Sequence, residues 1–238
     1  MAAAASLESC PPVGPNDLAV VFDVLRMSSS MAAAAAAGVE AIRPMAEVEA
    51  ARALAVAQPG LWLAGERGNQ RLPGFTQGNS PREWDRPVPP GTRVVWTTTN
   101  GTRALAQVAG ASAVLVGALV NRRWVAAAVE RWGDTHPLGR VVLVAAGREG
   151  EPSPPDWWGV GAVMAALPPA WADPSALSAA EDFAAVQGHL SEALASSAEG
   201  QHLAAMGYEA DVLWAAGLDR VPVVLERGSG GWLYPMRA

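Results

Sequence analysis

Lysine is absent from the chain: all 17 basic side chains among its 238 residues are arginines. That absence excludes a Schiff-base lysine nucleophile and a Walker-type phosphate-binding lysine. With the abundance of alanine, it reads as compositional bias of the genome rather than as a functional signature. Cysteine occurs once, at Cys10, so no intrachain disulfide and no CxxC metal or redox motif is available. A lone thiol suits a reducing, cytoplasmic setting. Charge is sparse at 17% of residues, and 17 basic against 23 acidic groups give a formal net charge of −6. Without a basic cluster the chain is a poor partner for nucleic acid. Long apolar runs are missing too. The run Met31 to Ala37 is far too short to span a bilayer, so no membrane partner is expected. There is no Gly-X-Y period, no sustained heptad and no internal repeat.

Half of the residues are hydrophobic, enough for a sizeable core and too many for general disorder. Met1 to Ala5 lacks a basic segment and a long apolar stretch, so it reads as a frayed terminus rather than a signal peptide. Residues 1–15 are expected to be flexible, and 16–238 to form a single α/β domain. Short apolar runs alternate with alanine-rich stretches. Strands are expected at Leu18–Val24, Glu40–Met45, Leu61–Gly65, Arg93–Thr98, Ala113–Gly117 and Val141–Ala146. Helices are expected at Ser28–Ala37, with serines suited to capping it, and at Glu47–Ala57, Thr102–Val108, Asn121–Trp132 and about Trp157–Leu167. A break at Pro168–Pro174 precedes a mostly helical region to about Leu203. A strand at Val221–Leu225, a turn at Gly228–Gly231 and an edge strand at Trp232–Tyr234 close the chain. The alternation predicts a three-layer α/β/α fold with a largely parallel, mixed sheet.

Ligands of such sheets bind beyond the carboxyl ends of the strands. Asp23 and Arg26 follow the first strand, and Glu66, Arg67 and Gly68 the third. TTTNGTR, residues 97–103, follows the fourth, and Gly147 to Asp156 the sixth. If the strands are parallel, three carboxylates and several arginines gather at one edge. Asp23, Glu66 and Asp156 have the oxygen chemistry that Mg²⁺ requires. The plainer reading makes them a turn residue, an arginine partner and a helix cap. Arg26, Arg67 and Arg148 present planar forks suited to phosphate or sulfonate; singly, each reads as surface charge. The Asn100-Gly101 turn aims backbone donors at an anion, or is simply a turn. Covalent routes are thin. There is no GxSxG elbow, no Cys–His pair, no HExxH and no DxD after the first strand. His136, His189 and His202 are scattered and read as structural or exposed. The ten tryptophans fall mostly in apolar runs and read as core, although Trp157 or Trp158 is placed to wall a site beside Asp156.

FDVLRMSSS, LAGERGNQRLPGFTQGNSP, TTTNGTRAL, VLVGALVNRRWVA and AAGREGEPSPPD occur in this order. Together they resemble the 2-phosphosulfolactate phosphatase family, over roughly residues 17–225. The resemblance implies a Mg²⁺-dependent phosphomonoesterase that converts 2-phospho-3-sulfolactate to 3-sulfolactate and phosphate, in a family associated with coenzyme M biosynthesis. It implies catalytic roles for Asp23, Arg26, Glu66 and Arg67, and substrate or phosphate binding by Asn79, Ser80, Thr99, Asn100, Gly101 and Thr102; Arg148 joins the binding residues from its place on the loop after the sixth strand. It implies metal ligation by Asp23, Glu66 and Asp156. Two departures stand out: Pro154-Pro155 in the last motif, and Glu199-Gly200 where the family often has His-Gly. Another small phosphorylated hydroxy acid as substrate, and a non-catalytic anion-binding role, stay open as alternatives. The apolar, tryptophan-rich, weakly charged composition favours a homo-oligomer, a dimer.

Overall fold

The computed structural model describes residues 1–136 and 139–237. In chain order, strand β1 (Ala2–Ala4) and β2 (Asp17–Phe22) precede helix α1 (Met27–Ala36). Next come β3 (Ala41–Pro44), α2 (Val48–Ala57), β4 (Trp62–Arg67) and the short β5 (Gln70–Arg71). β6 (Arg93–Thr97), α3 (Gly101–Gln107), β7 (Ala113–Gly117), α4 (Arg122–Thr135) and β8 (Arg140–Ala145) continue the alternation. Five helices follow: α5 (Pro154–Met164), α6 (Pro174–Val186), α7 (Leu190–Ser196), α8 (Ala198–Ala205) and α9 (Glu209–Ala215). β9 (Val223–Arg227) and β10 (Leu233–Arg237) complete the chain. Among the described residues no helix is long and apolar enough to cross a membrane.

The strands form one sheet in the order β1-β8-β2-β7-β9-β10-β3-β6-β4-β5. Period-two alternation divides its faces. Ala19 and Val21 of β2 pack with α1 and α3, whereas Leu18, Val20 and Phe22 pack with α4, α5 and α6. This is the expected three-layer arrangement. The helix α1 follows from its sequence: MSSSMAAAAA is narrow enough to lie flat on the sheet, and its residues Met27 to Ala35 are all buried.

The sheet is mixed in a specific way. β1, β8, β2 and β7 run parallel to one another, and so do β3, β6 and β4, but the two sets point in opposite senses. The antiparallel hairpin β9–β10 joins them. The expected edge strand at Trp232–Tyr234 is therefore an interior strand, because the Gly228–Gly231 turn folds it back between β9 and β3. Residues 2–4, read from sequence as frayed, pair with Val142–Val144 as an edge strand. Backbone pairing supplies there what the bare alanines cannot. A single continuous parallel edge does not exist. Sheet twist of about 20–25° per strand accumulates over the five steps from β2 to β6 and turns the second set's carboxyl ends back towards the first.

Below this edge, α5 and α6 cross in close contact. A Cβ at Gly161 would run into the Ala179 carbonyl and lie 2.8 Å from the Cβ of Phe183. Gly161→Ala should destabilise the protein by about 1–3 kcal/mol, read as a lower urea midpoint with an unchanged slope.

Candidate active site

The strand ends enclose a cavity of about 460 Å³. Its floor is built from Asp23, Arg26, Glu66, Asn79, Thr99, Asn100, Arg148 and Asp156, drawn from both parallel sets. The opposite wall comes from Glu199, His202 and Leu203 of α8 and from Met206 just after it.

Asp23 follows β2 and is almost fully enclosed. Its amide donates to Ser28 Oγ (3.0 Å), and its Oδ1 accepts the Met27 amide (3.2 Å). Gly101 is required beside it: a Cβ there would strike Asp23 Oδ2 and the Met27 thioether. Burial raises the Asp23 pKa from 3.8 to about 6. The nearby Glu66 charge adds to the rise, and the Met27 and Gly101 amides and the Arg26 charge oppose it. Glu66 is held by three donors: Thr99 N–H (2.9 Å) and Oγ1 (3.1 Å) on Oε1, and Asn69 N–H (2.8 Å) on Oε2.

Asp156 lies in the first turn of α5, which starts at Pro154 rather than near Trp157 because proline is preorganised for a first helical position. Its Oδ1 accepts the Val24 amide (2.7 Å) and its Oδ2 the Gly147 amide (3.1 Å), so it ties the β2 and β8 loops together. Its pKa lies well above the usual carboxylate range, first through burial and then through the Asp23 charge. Among the described residues no three His, Cys, Asp or Glu side chains converge closely enough to ligate one ion. Asp23 and Glu66 remain a fit for Mg²⁺ as a pair: two neighbouring carboxylates face the cavity, the Glu66 charge raises the proton affinity of Asp23, and the side chain of Arg26 is committed elsewhere.

That commitment is a buried ion pair. Arg26 Nη1 bonds Asp211 Oδ2 at 2.7 Å, Nη2 donates to the Asn69 carbonyl (2.8 Å), and the guanidinium lies 4.0 Å from the centre of the Tyr208 ring. Its Nε is buried without a partner. Ser80 does not reach the cavity; it donates to the other oxygen of Asp211 (2.7 Å) and caps the 3₁₀ turn Pro81–Trp84. Asn79 is fixed from two sides, its carbonyl by Ser30 Oγ (2.7 Å) and its side chain by Trp96 Nε1 (3.3 Å). Trp96 in turn stacks on Trp84, and Trp84 on Trp62. The serines expected to cap α1 instead brace this floor, since Ser29 also donates to the Val24 carbonyl.

Thr99, Asn100 and Arg148 line the cavity, and no side-chain hydrogen bond of Asn100 or Arg148 to other described residues competes for their donors. Thr102 exchanges hydrogen bonds with Thr98 beneath the turn, and Gly101 touches Asp23 from below. Arg67 is directed away. It donates to the carbonyls of Glu66 and Ala46 and to Thr97 Oγ1, and it lines a separate groove with Cys10, Glu47 and Arg103. Trp157 and Trp158 wall a different, apolar recess with Pro152 and Val186. Sequence reasoning missed Asp211 and Tyr208, noted Glu199 only as a departure from the family's His-Gly, and set His202 aside as structural or exposed. Asp211, Glu199 and His202 belong to helices that read as plain helical sequence, and Tyr208 directly precedes α9; Asp211 gives a signal only as an acidic residue between apolar ones.

A water-accessible cavity with buried carboxylates, a fixed arginine and free amide and guanidinium donors, set on an α/β scaffold, has the equipment of a hydrolase acting on an anionic ester. The profile of the family described as 2-phosphosulpholactate phosphatase matches residues 6–229. A protein of Gloeobacter violaceus named "Probable 2-phosphosulfolactate phosphatase" is 36% identical over 224 residues, covering 93% of each chain. Proteins of the same name from Synechococcus sp. strains JA-3-3Ab and WH7803 are 35% identical, covering 95% of each chain, and 39% identical, covering 94% of this chain and 92% of theirs. The chain belongs to the 2-phosphosulfolactate phosphatase family, a family of phosphoric monoester hydrolases.

The raised Asp23 pKa has a consequence for stability. The folded protein holds that proton more tightly than the unfolded chain, so this group's contribution is fully present below pH 3.8 and is lost as pH rises through about 6. Asp23→Asn should therefore stabilise the metal-free protein by roughly 1–2 kcal/mol at pH 7 and leave it nearly unchanged at pH 4, measured by urea unfolding at the two pH values.

Proposed function

We propose that the protein hydrolyses 2-phospho-3-sulfolactate to 3-sulfolactate and phosphate with Mg²⁺ as cofactor, a step that serves coenzyme M synthesis. One observation carries this reading. Asp23, Arg26, Glu66, Asn100 and Arg148 line one cavity, in a chain similar over nearly its full length to proteins bearing that phosphatase name.

The charge of the cavity supports the need for a cation. Asp23, Glu66, Glu149, Asp156 and Glu199 line it against only Arg26 and Arg148, and Arg26 is already paired with Asp211. A polyanionic ester is repelled from such a pocket unless that negative charge is offset. Asp23 and Glu66 would hold Mg²⁺, which accepts one or two carboxylates and completes its shell with water and phosphate oxygens. When bound, the ion neutralises charge on the phosphoryl group.

The chain's own groups do the positioning. Arg26 borders the cavity and lends its positive charge to the phosphoryl group, and the Asn100 amide donates to a phosphoryl oxygen. Arg148 takes the sulfonate through its planar fork. Asp23 accepts a hydrogen bond from the attacking water and orients it for in-line attack. Asp156 holds the two loops that carry these groups in register.

The test is phosphate release from 2-phospho-3-sulfolactate with Mg²⁺, beside 2-phospholactate and an EDTA control. Turnover should require the metal and favour the sulfonate. Asp23→Asn should lose most of kcat with the fold intact, and Arg148→Ala should raise KM for the sulfonate ester by roughly tenfold or more. Equal turnover of both esters would move the substrate to another phosphorylated hydroxy acid. No release from either would leave an anion-binding protein.

A further inference from the structure

We propose that Asp211, on α9, is a positioning residue that holds Glu66 towards the metal through Arg26 and the Gly68-Asn69 turn, an assignment that rests on the Mg²⁺ ligation in the reading above. Three hydrogen bonds in series lead from Asp211 to Glu66. Arg26 Nη1 donates to Asp211 Oδ2 (2.7 Å), Arg26 Nη2 donates to the Asn69 carbonyl (2.8 Å), and the Asn69 amide donates to Glu66 Oε2 (2.8 Å).

The turn in the middle of this series needs an outside hold. Glu66 and Arg67 of β4 pair antiparallel with Arg71 and Gln70 of β5, so Gly68 and Asn69 form a two-residue hairpin turn. Their φ angles are +57° and +64°. Tight hairpins require that hand, and asparagine is among the few residues besides glycine that adopt it. The closing strand β5 is two residues long, exposed, and lies at the end of the sheet. A hairpin of that size is marginal by itself. Arg26 reaches it from the loop after β2, in the other parallel set, and places a charge-assisted donor on the carbonyl of the turn.

Arg26 can hold the turn because it is itself fixed. Its side chain is 1% exposed and that of Asp211 is 4% exposed. Ser80 Oγ donates to the second oxygen of Asp211 (2.7 Å), and the Tyr208 ring covers the guanidinium. The planar fork lets one side chain meet two acceptors in set directions, which a lysine could not do.

Glu66 is the ligand that needs such support. Its charge and that of Asp23 repel each other, and a free glutamate side chain would swing away. Thr99 fixes Oε1 through its N–H and Oγ1, and Asn69 fixes Oε2. Releasing the turn frees one carboxylate oxygen, and the two ligands lose their spacing. Partners that orient a metal ligand in this way are worth about 10–100-fold in metal affinity.

The test is Mn²⁺ binding by isothermal titration calorimetry on the full chain without substrate, since Mn²⁺ takes the same oxygen ligands as Mg²⁺. Wild type, Asp211→Asn, Glu66→Gln and the double variant form a cycle. Asp211→Asn should weaken binding about tenfold or more and should add nothing to the loss in Glu66→Gln. Equal losses from Asp211→Asn in both backgrounds would mean a general effect on the fold and overturn the assignment, as would wild-type affinity in Asp211→Asn. Removing one member of a buried pair can prevent folding, so a second pair of variants acts on the turn alone. Asn69→Val, which resists positive φ, should weaken binding by a similar factor, and Asn69→Gly, which adopts it freely, should keep the wild-type affinity. Wild-type affinity in Asn69→Val, or equal loss in both, would overturn the assignment. A wild type that binds no Mn²⁺ would overturn it together with metal ligation by Glu66. Phosphate release is scored separately. Turnover without the coupling would remove the positioning role alone; the coupling without turnover would remove the phosphatase reading and leave the positioning role standing.

Discussion

A carboxylate taken out of water at the end of a central strand is the costly feature around which this molecule is arranged. Asp23 sits where β2 stops, enclosed by α1 and the turn before α3, with no cation devoted to it. Desolvating such a group is unfavourable, so the surroundings have to hold it by other means. Amides of Met27 and Gly101 do part of this, and a glycine at 101 lets the loop close over it. What is left is negative charge shared with Glu66, which no described side chain neutralises directly.

The handling of Arg26 is the counterpart. An arginine paired directly with Asp23 would have neutralised the site. Instead its terminal nitrogens are engaged by Asp211 and the Asn69 carbonyl, and the ring of Tyr208 covers its face. Removing one member of a buried pair of this kind is far more damaging than the pair is stabilising. The value of Asp211 is thus orientational: it fixes the guanidinium so that one N–H stays spare. Ser80 holds Asp211 in turn, and the tryptophan stack behind Asn79 holds the adjoining loop.

The division between what was legible and what was not follows the range of the interactions. Alternation along LAVVFDV and VVLVAA marked the strands, and the chemistry-bearing residues directly after them, Asp23 and Arg148, were found because strand ends place ligands. Glu66 was found in the same way, although it lies within β4. Side-chain direction was not legible. Arg67 follows Glu66 in sequence but points into another groove, because strand neighbours face opposite sides. Ser80 and Thr102 serve the floor from beneath rather than from within. Asp211 comes from a helix distant in sequence, and no local pattern distinguishes a helical acid that faces inward from one that faces solvent; Glu199 stood out only as a departure from the family's pattern. The opposed sense of the two parallel sets was hidden for a similar reason: it is decided by a hairpin at the far end of the chain, which local periodicity marked only as two short strands.

That hairpin has a consequence for how the protein is made. Within the sheet the two parallel sets are joined through β9 and β10, and those strands follow every other strand in the chain. On the ribosome, the strands that carry Asp23 and Glu66 emerge early, but the sheet between them stays open until Val223–Arg237 has left the exit tunnel. Until then β7 and β3 present open edges, which in a nascent chain are templates for pairing with the wrong partner. The protein should depend on whatever shields those edges during synthesis, and a stall shortly before residue 223 should be more hazardous to it than one at any earlier position.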